Sequence, residues 1–335
     1  MKKHLLVGAG LLVFSASGAR AQGLSSPTCP RGTQSEQVAQ DACQQAYDMY
    51  QYLAPQLGLI LAGGNATLGQ GSTLGGFGHF SVGVRVNAVQ GSYPQVDKFT
   101  QGTSGAQAKT LQTSDQLLPL PTADAAIGIL GGIPLGVTNV LAVDLLVSAA
   151  YVPTFTSNTV TLTPEQNLQI GYGARVGILQ ESIVVPGLAV TYLIRDLPTT
   201  SISATSGSNQ LKINSLSVKT KAWRVVASKS LLLFGVVVGG GQDSYDQSAQ
   251  ISATVNNIVG IPGITSGTSA IPGTSQSRTR TNIFADVSLN LPLFKIVGEV
   301  GQVSGGDAIN TYNSFSGGRS DRSLQYFSAG IRLGL

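Results

Sequence analysis

From Gly76 onward the chain alternates apolar and polar residues with a period of two, the repeat of a strand that shows one face to an apolar phase. Phe80, Val82, Val84 and Val86 oppose His79, Ser81, Gly83 and Arg85, and Leu141, Val143, Leu145 and Val147 oppose Asp144 and Ser148. Ile170, Tyr172, Ala174, Val176 and Ile178 oppose Gln169 and Arg175, while Ile283, Ala285, Val287 and Leu289 oppose Asp286, Ser288 and Asn290. At the end of the chain Phe327, Ala329, Ile331, Leu333 and Leu335 share one face. The pattern predicts ten strands, near 76–91, 122–133, 138–152, 166–180, 185–200, 210–227, 231–254, 277–291, 293–304 and 319–335. Lys219 and Lys221 interrupt it, and no single phase fits Asn214 to Val226.

A last strand with a greasy face and a free edge invites aggregation unless the sheet closes on itself. The links between the predicted strands fall into two sets: those near 134–137, 181–184, 228–230 and 292 are short, and those near 92–121, 153–165, 201–209, 255–276 and 305–318 are long. Membrane barrels alternate short periplasmic turns with long outer loops in this way. The expected fold class is therefore all-β, a transmembrane antiparallel up-and-down β-barrel of about ten strands within a range of roughly 8 to 14.

A charge facing lipid at the midplane costs about 2–4 kcal/mol, so the polar parity belongs to the lumen. That makes Arg85, Asp124, Asp144, Arg175, Arg195, Asp286, Lys295, Glu299 and Arg332 the lumen-lining candidates. Mixed signs in a narrow barrel predict an ion-paired, packed interior, with a selective polar pore as the alternative. A wide general porin is disfavoured, since such channels need about 16 strands. Tyr93, Tyr151, Tyr192, Trp223 and Phe294 are the expected aromatic anchors.

Before Gly76 the pattern differs. Val38, Ala42, Ala46, Tyr50 and Leu53 recur at helical spacing, which predicts a short helix over 35–53 with Ser35 as N-cap and Pro55 just beyond its end. The following run 57–76, LGLILAGGNATLGQGSTLGG, reads as too glycine-rich for a regular element. Cys29 and Cys43 are the two cysteines, an even pair in an exported chain, and are expected to form a disulfide. Residues 22–75 thus read as an N-terminal periplasmic segment, long enough to enter the barrel as a plug though the sequence leaves that open, and 76–335 as the barrel itself.

Composition changes the picture mainly at the N-terminus. Met1-Lys2-Lys3-His4, the apolar stretch Leu5 to Ala16 and the small residues Ala19-Arg20-Ala21 make residues 1–21 a signal peptide for the Sec pathway, cut after Ala21. Removing them takes Lys2, Lys3 and Arg20 but no acid, so 20 basic and 16 acidic residues become 17 and 16. With 11% charged residues and no basic face, no nucleic-acid partner is expected. Ile127 to Ala150 is apolar, but Pro134, Asn139 and Asp144 rule it out as one membrane helix. There is no C-x-x-C pair or zinc set, and the glycine-rich run 63–78 has no phosphate-loop lysine, so neither metal nor cofactor is expected. His79 is the one histidine of the mature chain, and any Ser-His or Asp-His chemistry would need it; no enzymatic activity is expected.

Ser323–Leu335 resembles the C-terminal signal strand of Gram-negative outer-membrane barrels, with Leu335 where Phe is commoner. The resemblance implies two partners, outer-membrane lipid and the barrel-assembly machinery that reads such strands. The Gly64-Asn65-Ala66 run followed by Phe80-Ser81-Val82-Gly83 is similar to the outer-membrane long-chain fatty-acid transporter family, which has Asn-Pro-Ala where Asn65-Ala66-Thr67 stands here and 14 strands in its barrel. It implies passive uptake or binding of small, hydrophobic molecules. A structural or surface-interaction barrel without a through-path is the alternative, and a lipid-modifying enzyme built on His79 the third.

Overall fold

The computed structural model describes residues 26–304, 306, 310–319 and 321–334. Residues 1–21, the expected signal peptide, and Leu335 lie outside them. Ten antiparallel strands close a ring among the described residues. They are β1 (Phe80–Pro94), β2 (Thr113–Leu130), β3 (Ala142–Tyr151), β4 (Leu168–Leu179), β5 (Gly187–Asp196), β6 (Asn209–Leu231), β7 (Phe234–Asn256), β8 (Ser266–Asn290), β9 (Lys295–Ser304) and β10 (Leu324–Gly334). Each pairs with its neighbours in sequence, and β10 returns to β1 through Ser81↔Gly334 to Val89↔Tyr326, so no edge remains within the ring.

The alternation predicted from sequence holds around the ring. Val84, Tyr172, Ile283 and Val300 point outward and are about 60% exposed, and Phe80, Leu145, Ile170 and Val238 are exposed beside them. A continuous apolar girdle on a closed sheet is the surface of a barrel that sits in hydrocarbon. Tyr151, Tyr172, Tyr192 and Trp223 are exposed on its rim, and Tyr192 faces Trp223 across the β5–β6 pair. Tyr93 departs from this set: it is half-buried at the inner side of the wall rather than in the rim.

Strand lengths are unequal. β3, β5 and β9 have 10 residues each, whereas β6, β7 and β8 have 23, 23 and 25. Above the belt their outward positions turn polar, at Lys219 and Lys221 on β6, Gln242, Ser244 and Asp246 on β7, and Ser277 and Thr279 on β8. Short strands at Thr200–Ser206, Val160–Pro164 and Phe155–Thr156 continue this upper sheet sideways from β6. The result is a half-cylinder standing on the ring at the mouth that carries the long links.

One helix, α1 (Gln34–Ala62), lies in that half-cylinder. Its N-cap, Thr33, lies two residues before the expected Ser35, because Thr33 and Glu36 form a capping box that Ser35 has no partner to make. It also runs to Ala62, well past the expected stop. Pro55 removes one helix hydrogen bond, but side chains hold the turn: Gln56 of the helix donates to the Tyr52 carbonyl and Gln247 of β7 to that of Ala54. The short helix over 35–53 is thus a 29-residue helix that takes in the first six residues of the glycine-rich run. The helix is surrounded by β-structure and long links, and residues 63–76 continue inside the ring.

Candidate functional site

The lumen is filled by the chain itself. Eight of the nine lumen-lining candidates, Arg85, Asp124, Asp144, Arg175, Arg195, Asp286, Glu299 and Arg332, are buried on the inner face. Arg175 meets Asp144 through Nε at 3.0 Å and Nη2 at 2.9 Å, Arg332 pairs with Asp124, and Arg85 lies 3.7 Å from the same carboxylate. Lys295 stands half-buried at the short-turn mouth instead. Sequence reasoning missed a third buried pair, Arg224 with Asp243. These two residues face each other's strands inside the ring, but the unphased stretch Asn214 to Val226 hid the inward direction of Arg224.

The remaining polar capacity of these side chains goes to the backbone of residues 61–74. Arg195 donates to the carbonyls of Leu61, Ala62 and Ala66, Arg224 to those of Gly63 and Gly64, Arg85 to Asn65 and Arg332 to Leu68. From the other side, the N–H of Asn65 reaches Glu299 at 2.7 Å, that of Gly69 reaches Asp286 at 2.8 Å, and that of Leu74 reaches Asp144 at 3.2 Å. An irregular segment at membrane depth must have its backbone groups satisfied by protein, and here the barrel wall does so residue by residue. Gly64 permits a close approach, since a Cβ there would stand 2.6 Å from the Glu299 carboxylate.

Above the ring the helix is held by the long links. Asp41 accepts from the Gly102 N–H and from Lys109 Nζ at 2.8 Å, and Asp48 accepts from Asn313 N, Asn313 Nδ2 and Tyr312 N. Burial pushes the Asp48 carboxyl up to about 6, against the pull of the Asn313 and Tyr312 donors. Cys29 and Cys43 are joined, and Gln40 and Gln44 fix the Cys29 backbone, so the first described residues are fastened to the helix.

Two cavities flank the plug. At the short-turn mouth one of about 610 Å³ is lined by Gln70, Ser72, His79, Glu181, Lys295 and Arg332 among others. His79 is exposed there, with its Nδ1 3.3 Å from the Gly76 carbonyl. At the long-link mouth a second, of about 440 Å³, is walled by Met49, Leu53 and Leu57 on one face of α1 and by Leu118, Phe155, Val160, Leu162 and Ile202. It exists because the wall has a gap. Pairing of β2 with β3 begins at Thr122, so residues 113–121 have no partner on that side, and the upper sheet ends at Phe155–Thr156. Tyr93 also lines this cavity, and its Oη has no hydrogen-bond partner although it is buried. Among the described residues no cluster of three or more His, Cys, Asp or Glu is placed to hold a metal ion.

No protein-family model matches this chain, and no curated protein matches it. Solved structures similar to it include the transport unit of the autotransporter AIDA-I from Escherichia coli, 8% identical over 88% of this chain and 99% of that one with a TM-score of 0.33. Others are the TodX deltaS2S3 mutant monoaromatic hydrocarbon channel (7% identity, 77% of this chain, 66% of that chain, TM-score 0.32) and the Pseudomonas putida toluene transporter TodX (9% identity, 76% and 88%, TM-score 0.24).

Proposed function

We propose that this chain is an outer-membrane barrel that takes up or binds small, hydrophobic molecules, and that the cavity between α1 and the gap in the wall is where they enter. The observation that carries this reading is that cavity's chemistry: leucines, a methionine, valines, isoleucine and phenylalanine give most of the wall around about 440 Å³, Gln95, Asp97, Ser114, Gln116, Ser157 and Thr159 complete it, and one unpartnered hydroxyl, at Tyr93, belongs to it. Pockets for small ligands are of this size and this kind, apolar with few polar groups that fix orientation. The guest it suits is a neutral apolar molecule of one or two rings carrying a single hydrogen-bonding atom. Residues 61–74 close the straight path below, so passage requires that segment to shift.

Naphthol and naphthalene are suitable probes, since they differ by one hydroxyl. With the protein in lipid nanodiscs, naphthol fluorescence should saturate in wild type. Leu53→Asp should weaken binding of both probes by tenfold or more, and Tyr93→Phe should weaken naphthol alone, by about threefold to tenfold for one lost hydrogen bond. Equal partition of both probes into wild type and Leu53→Asp would overturn the reading.

A second reading is favoured by the hydrogen bonds along residues 61–74: a surface barrel with no through-path. Binding without any flux of naphthol into protein-loaded vesicles, above that of empty ones, would select it.

A further inference from the structure

The partners of the N-terminal segment fix the direction in which it runs. Ser35 Oγ accepts from the Thr268 N–H, and Val38 packs on Gly267, at the tip of the β7–β8 hairpin. Further along, Tyr50 donates to the Gln247 carbonyl, Asn87 of β1 to that of Ile60, and Arg332 of β10 to that of Leu68. Thr73 then lies against Gly177 and Gly76 against Gly131, beside the short turns. Each successive contact is nearer the short-turn mouth. The segment therefore enters at the long-link mouth, passes through the ring, and leaves at the other end, where β1 turns back upward.

We propose that this barrel carries its own N-terminal segment across the membrane, so that Ser26–Thr33 and the outer half of α1 are displayed on the cell exterior. Bacterial barrels keep short turns in the periplasm and long loops outside, which puts Ser26 outside together with the 257–265 link. An exported chain arrives on the opposite side. A helix of 29 residues, about 43 Å long at 1.5 Å per residue, therefore changes sides during assembly. It need not squeeze through a finished pore. The seam that completes the ring joins β1 to β10, the two ends of the barrel sequence, so the wall can close around the segment. The luminal arginines and carboxylates that bind residues 61–74 then act as the mould. This inference is independent of whether an apolar guest binds.

The full chain is expressed in cells with an epitope inserted between Ser26 and Pro27, and in parallel with the same epitope at Gly260 in a long link or at Pro292 in a short turn. On intact cells, antibody should stain the Ser26 and Gly260 versions and not the Pro292 version. If the Ser26 epitope becomes visible only after the membrane is permeabilised, the proposal is overturned, whatever the other two do. Should the insertion block folding, the untagged chain serves. Arg31 and Gly32 are exposed, so trypsin added to intact cells should cut between them, leaving the amino-terminal piece attached until Cys29–Cys43 is reduced. Protection of that bond in intact cells, with cleavage after permeabilisation, overturns the proposal equally.

Discussion

Arg175 is 1% exposed and shares its guanidinium between Asp144, the Thr67 hydroxyl and the Gln70 carbonyl, so one side chain ties two wall strands to the plug. Removing one member of such a pair leaves the other as a buried, unmatched charge. Arg175→Met should therefore destabilise the barrel by about 3–5 kcal/mol, while adding Asp144→Leu should recover most of the loss. The midpoint of conversion from the compact to the unfolded electrophoretic band measures both; equal loss in single and double variants would refute the argument. Asp48 gives a second residue-level test, this time with pH. Its carboxyl titrates near 6 when folded against an ordinary 3.8, so the folded state holds the proton more tightly than the unfolded one. Stability must then rise as pH falls from about 7 through 6, and level off below 3.8. Asp48→Asn should flatten that part of the midpoint-against-pH curve, and an unchanged slope would assign it to other groups.

At the scale of elements, two bulges explain where the alternation was hard to follow. In β6 the register with β7 shifts between Asn214 and Ser217, and Ser215 has a φ of 49°. Before it Leu211 and Ile213 face inward; after it Leu216, Val218, Thr220, Ala222 and Arg224 do. One extra residue moved the inward set from odd to even positions, which is what a bulge does to a period of two. Lys219 and Lys221 consequently face outward, above Trp223, where water and headgroups accept them. The second shift lies in β8 opposite Ala249 to Ile251, at Pro272 and Gly273, and it turned a stretch read as loop into strand. Because a left-handed φ at a residue with a Cβ costs about 1–2 kcal/mol, Ser215→Gly should raise stability by up to about 1 kcal/mol after the added freedom of the unfolded chain is counted. A lower unfolding midpoint would contradict the strain. The ten strands and their facing were legible because lipid imposes one rule on all of them. The helix beyond Pro55, the bulges and the pairing of Arg224 with Asp243 were not, because they depend on contacts more than a hundred residues away or on the neighbouring strand.

For the whole molecule the question is what keeps the lumen shut. Among the described residues its inner face carries six arginines, at 85, 175, 195, 224, 280 and 332, and five carboxylates, at 124, 144, 243, 286 and 299, all buried. Charge balance alone would let these groups pair across an open pore. They do so only in part: Arg195 has no carboxylate partner within salt-bridge distance among the described residues and spends its donors on Ser148 and on the carbonyls of Leu61, Ala62 and Ala66. Arg224 divides its donors between Asp243, the neighbouring wall carbonyls of Trp223 and Gln242, and those of Gly63 and Gly64. These two side chains are the grip on the point where the helix ends and the coil begins. Replacing both with glutamine should loosen that point while leaving the apolar belt and the ring pairing as they are. In planar bilayers the wild-type barrel is then expected to show little conductance, and Arg195→Gln/Arg224→Gln frequent openings of larger unit size. A double variant as silent as the wild type would mean that the remaining contacts, from Glu299 and Asp286 to Asn65 and Gly69, suffice to hold the plug by themselves.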